Sequence, residues 1–108
     1  MRRGDLVTAA VSGDYGKPRP ALVVQANAFL TLPSVTVLLL SSEILPAHLA
    51  RIALEPSHEN GLRARSQIMI DKAMSVPREK VGRAFGRLSE NAMRAVDRAL
   101  LGFLGLGG

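Results

Sequence analysis

The chain contains no cysteine and no tryptophan. Without a thiol it can build neither a disulfide framework nor a thiolate metal site. That usage fits a reducing, cytoplasmic setting. Histidine is scarce: His48 and His58 stand alone, with no partner at metal-ligand spacing, and read as solvated loop residues. No metal and no cofactor is expected. The aromatic side chains are Tyr15, Phe29, Phe85 and Phe103, too few for a broad base-stacking platform. The longest apolar run, residues 35–40, falls far short of the roughly 20 residues that span a bilayer. No apolar segment behind Met1-Arg2-Arg3 has the length of a signal peptide.

What is present points to a single small domain over residues 1–108. Its length and its 47% hydrophobic residues suffice for a real core. The net charge of +5, from 14 Lys+Arg against 9 Asp+Glu, favours an anionic partner such as nucleic acid, an acidic protein or a membrane surface. Eleven of the basic residues are arginine, which suits bidentate contacts to phosphate or carboxylate.

The most distinctive segment is Gly16-Lys17-Pro18-Arg19-Pro20, running into Ala21-Leu22-Val23-Val24-Gln25. Proline fixes its own φ and pushes the preceding residue into extended backbone. Arg19 is therefore held stiffly where a loop becomes a buried strand. Two readings of it are open from these residues alone: a solubilising charge at a strand end, or a phosphate grip.

Hydrophobic spacing predicts strands over residues 6–11, 19–25 and 35–40. It adds an edge strand over 50–54 containing Arg51, a longer strand over 67–76 and a short last strand over 81–85. Residues 12–16 are dense in turn formers, and residues 27–30 suit a single helical turn ended by Pro33. Residues 55–65 form a polar loop around Asn60-Gly61. Ser89 is placed to cap a C-terminal helix, with Glu90 at its positive end. Met93, Val96, Leu100, Phe103 and Leu104 recur at helical spacing as its packing face. Gly102 and Gly105 are expected to loosen its last turn, with a frayed tail beyond. The fold class is mainly β with a C-terminal helix: a strongly bent sheet or partly open small barrel.

Five ordered anchors resemble the PemK/MazF family of toxin endoribonucleases over nearly the whole chain. They are Arg3-Gly4-Asp5-Leu6-Val7, Arg19-Pro20-Ala21-Leu22-Val23-Val24, Val35-Thr36-Val37 leading to Ser41-Ser42, Ser66-Gln67-Ile68-Met69-Ile70-Asp71-Lys72, and Gly86-Arg87-Leu88-Ser89. The resemblance implies an SH3-like barrel, a homodimer and a cognate acidic antitoxin. It also implies metal-independent cleavage of single-stranded RNA, in which the substrate's 2′-hydroxyl attacks the adjacent phosphorus. A membrane partner is not implied.

Carried over position by position, Arg19 matches the family's catalytic arginine, whose role is to stabilise the phosphorane charge. Ser41 falls where many relatives place a threonine that bonds the scissile phosphate. Ser41 and Ser42 could equally bond local backbone at a strand end. Asp71 sits at a recurrent acidic position that could orient an arginine, contact RNA, act as a base or brace the first loop. Lys72 stands where relatives often carry glutamine, and Met69 where some carry arginine. Asp14, Tyr15 and Lys17 lie on the loop before Arg19 as substrate contacts. Tyr15 either stacks on a base, worth about 1–3 kcal/mol, or packs over the barrel mouth. Arg63 and Arg65 are placed to position phosphate, and Arg83 and Arg87 read as solvated or ion-paired. Two rival readings use the same barrel: a gyrase-poisoning toxin, whose tryptophan anchor this chain lacks, and a silent RNA- or antitoxin-binding relative.

Overall fold

The computed structural model describes residues 1–11 and 17–107. Six strands form one antiparallel sheet: β1 (Asp5–Ala10), β2 (Pro18–Val23), β3 (Ser34–Ser41), β4 (Arg51–Leu54), β5 (Ser66–Pro77) and β6 (Gly86–Arg87). Their spatial order is β4-β5-β3-β2-β1-β6. One helix, α1 (Glu90–Phe103), follows. The expected turn at 27–30 is a 3₁₀ turn over Asn27–Phe29, and a second covers Arg78–Lys80.

The sheet is buried on both faces because apolar residues occupy both parities of its central strands. One core holds Val7, Ala9, Ala21, Val23, Val35, Val37, Leu39 and Met69, with Leu30 beyond the first 3₁₀ turn. The other holds Leu6, Leu22, Leu38, Leu40, Ile68 and Ile70, closed by Leu88 and by Val96 of α1. Between Leu38 and Leu40 of β3, the partner on β5 jumps from Ala73 to Ile68. The extra β5 residues have no opposite number on β3, and such an insertion bends and twists a strand. The result is a curled half-barrel with β4 and β6 at its edges, the architecture expected from the strand pattern.

The Arg3-Gly4-Asp5 anchor is a structural clamp. Arg3 donates from Nε to the Val24 carbonyl at 2.8 Å and from Nη2 to Asp97 of α1 at 2.7 Å. Asp5 is buried and pairs with Arg87 of β6 at 2.6 Å. Arg87 is therefore ion-paired, one of its two expected states.

Three expectations need correction. The last strand does not run regularly over 81–85. Val81 makes an isolated bridge to Ala9, and regular pairing resumes only at Gly86 and Arg87, opposite Leu6 and Asp5. More residues lie between those contacts on this segment than on β1, so the middle bulges. The helix face is also shorter than its stripe: Val96 is buried, but Phe103 and Leu104 are 55% and 59% exposed. Gly105 closes this end instead of loosening it. It adopts φ +73°, and the Leu106 amide returns to the Leu101 carbonyl at 2.9 Å, the Schellman arrangement that glycine favours.

Candidate active site

The register of the central strands assembles the principal candidates. Ala9 pairs with Arg19 across β1 and β2, and Ala21 pairs with Leu39 across β2 and β3. The β2–β3 pairing ends at that second pair, and Arg19 and Ser41 each lie two residues beyond it at the ends of these adjacent strands. Strand alternation places both on the face of Ala21 and Leu39. Ser41 in turn pairs with Gln67 of β5. Residues remote in sequence thus come to neighbouring strand ends.

Arg19 is half-buried, while Lys17 and the flanking Pro18 and Pro20 are exposed. The prolines confine the backbone around Arg19, and Ala21 to Val23 anchor it with complete burial. The Ser41 hydroxyl closes a local turn: it accepts from the Glu43 amide at 3.1 Å and lies 3.4 Å from the Glu43 carbonyl. This is the local backbone contact weighed from sequence, and it fixes where the hydroxyl stands.

Two residues outside the sequence-based set organise this end of the sheet. Gln67 is buried and grips Leu45 from both ends of its amide, Oε1 accepting from the Leu45 nitrogen at 3.1 Å and Nε2 donating to its carbonyl at 3.0 Å. Arg51, opposite Met69 in the β4–β5 register, donates from Nη1 to the Glu43 carbonyl at 2.9 Å and to Gln67 Oε1 at 3.1 Å. Its Nη2 lies 3.4 Å from the Met69 sulfur. The signal for Arg51 was visible as a cation inside an apolar edge strand, but its target could be found only across two other strands.

The opposite face carries a cavity of about 440 Å³ lined by Thr8, Pro20, Ser42, Leu62, Arg63 and Phe85 among others. Ser42 and Arg63 therefore line one cavity with Pro20, which alternates with Arg19 along β2 and faces the other side of the sheet. The loop that supplies Leu62 and Arg63 is braced by a neighbouring side chain. Asn60 is buried, accepts from the Ser57 and Leu62 amides and donates to the Glu55 carbonyl. A side chain at Gly86 would collide with the Asn60 backbone. Arg65 points elsewhere, into an exposed ion pair with Glu55 at 2.7 Å. Half-buried Asp71 and exposed Lys72 occupy the irregular stretch of β5. Asp14 and Tyr15 lie outside the described residues. Among the described residues, no three His, Cys, Asp or Glu side chains are grouped to hold a metal ion, and no helix is long and apolar enough to cross a membrane.

Three comparisons bear on this arrangement. The chain is 48% identical over 109 residues to a "Probable endoribonuclease MazF" of Mycolicibacterium smegmatis, covering 100% of both chains. Its fold is similar to an endoribonuclease solved in complex with its cognate antitoxin from Mycobacterial species, with TM-score 0.83 at 20% identity, covering 100% of this chain and 98% of that one. It is similar again to the Mycobacterium tuberculosis toxin MazF-mt6, with TM-score 0.82 at 21% identity, covering 96% and 99%. The model of the PemK-like, MazF-like toxins matches residues 2–104. With that match spanning the sheet and the helix, the chain belongs to the PemK-like, MazF-like toxins of type II toxin–antitoxin systems.

Proposed function

We propose that this toxin cleaves single-stranded RNA in the cytoplasm without a metal, and that Arg19 and Ser41 carry the chemistry. The supporting observation is that both lie two residues beyond the Ala21–Leu39 pair, at the ends of the adjacent strands β2 and β3, where alternation puts both on the face of Ala21 and Leu39. In-line attack by a ribose 2′-hydroxyl on its own phosphodiester builds negative charge on the phosphorane oxygens. A guanidinium held at that place lowers the barrier by meeting the developing charge. Arg19 supplies the guanidinium, and Ser41 orients the phosphate through its hydroxyl. The products are a cyclic phosphate and a 5′-hydroxyl end.

Lys17 ahead of β2 and Arg63 in the cavity bind flanking phosphates, as does Arg65 once freed from Glu55. Ser42 faces a base from the cavity side. Asp14, Tyr15, Asp71 and Lys72 complete the substrate contacts. The protein acts as a homodimer and is silenced by an acidic antitoxin whose carboxylates compete for the same cations. The similar endoribonuclease solved with its antitoxin supports that pairing.

The test is cleavage of a long, sequence-diverse single-stranded RNA in EDTA by parent and Arg19→Ala protein, with the ends mapped. Discrete cuts by the parent alone, leaving cyclic phosphates, are expected. No cuts from folded parent protein that still binds RNA would move the assignment to a silent binder.

A further inference from the structure

We infer that Arg51 is a second phosphate-binding guanidinium of the cleavage site, held beside Ser41 by Gln67. This rests on the RNA-cleavage reading above and adds a residue to it. Arg51 Nη1 and the Ser41 hydroxyl meet at one atom, the Glu43 carbonyl oxygen, at 2.9 Å and 3.4 Å. Whatever phosphate lies on Ser41 therefore lies in the field of Arg51.

The charge is unspent. Arg51 contacts a backbone carbonyl, an amide oxygen and a thioether, all neutral. Among the described residues it makes no ion pair. A half-buried cation without a carboxylate carries a desolvation cost that a bound anion offsets. The placement is also firm. Gln67 is buried and anchored to Leu45 on both sides of its amide, so its Oε1 is a fixed post for Nη1. With Nη1 committed, Nε and the second Nη2 hydrogen have no acceptor among the described residues. Two parallel N–H groups are the fork that matches a phosphate. Gln67 is accordingly a positioning residue, and Arg51 touches the substrate.

The experiment pairs cleavage with binding. RNA affinity is measured against salt in the non-cutting Arg19→Ala protein, with and without Arg51→Gln. Loss of one phosphate contact lowers the log–log salt slope by about 0.7, and Arg51→Lys keeps the slope. In otherwise unaltered protein Arg51→Gln lowers cleavage about 100-fold, as loss of one charge-stabilising donor does. Gln67→Ala lowers cleavage while keeping the slope. An unchanged slope in Arg51→Gln overturns the inference, even where cleavage falls, since Arg51 would then only hold the loop. Should Arg51→Gln fail to fold, the Arg51 Nε–H resonance in the Arg19→Ala protein decides. It shifts on addition of RNA if Arg51 binds phosphate, and a stationary resonance overturns the inference. If the parent makes no cuts, the cleavage reading fails by itself, while the binding arm still reports on Arg51.

Discussion

In the proposed reaction Arg19 and Ser41 do different work, and their substitutions would separate them. Arg19→Ala removes a half-buried guanidinium from a strand whose next three residues are fully buried. Cleavage is expected to vanish with the thermal midpoint within a few degrees of the parent, as circular dichroism would show. Ser41→Ala removes one hydroxyl contact to a charged group, worth about 1.5–3 kcal/mol. Cleavage should fall about 10- to 100-fold in single-turnover assays, and Ser41→Thr should restore most of it. A Ser41→Ala enzyme cutting at the parent rate would reduce Ser41 to its turn with Glu43. Arg65 is the opposite case. Its pair with Glu55 is exposed on both sides, so little stability is expected from it.

At the scale of elements, the loop over residues 55–65 depends on one side chain. Asn60 is 4% exposed and bonds Glu55, Ser57 and Leu62. Asn60→Ala leaves those backbone groups unpaired and should cost about 1–3 kcal/mol, read as a lower urea midpoint. The cavity wall formed by Leu62 and Arg63 would loosen with it. The helix offers a milder case: Ser89 accepts from the Ala92 amide at 3.1 Å, and Ser89→Ala should cost about 1 kcal/mol. Strand and helix positions were largely legible because burial writes its period into the sequence. The segment after residue 80 was not, because its apolar residues follow β1 through a bulge that no local pattern marks.

For the whole molecule, the +5 charge and the proposed homodimer lead to one measurement each. RNA binding should weaken steeply between low and high salt; a flat response would argue for a protein target instead. Light scattering at micromolar concentration should give twice the 11.5 kDa chain mass, and a monomeric mass would count against the dimer. Leu101, Phe103, Leu104 and Leu106 at the end of α1 are all exposed, apolar surface that a dimer could cover.

The sequence by itself determined the strand-rich class, the capped helix and the family, and singled out Arg19 as a candidate. Those properties rest on local backbone limits, hydrophobic period and ordered motifs, all of which are linear. Tertiary structure alone decided that Arg19 and Ser41 end adjacent strands, that Ser42 lines one cavity with Pro20 and Arg63, and that Arg51 and Gln67 stand beside Ser41. The reason is register. A one-residue slip moves a side chain to the other face of a sheet, and here register is set by core packing on both faces and by the bend in β5, neither of which any single segment contains.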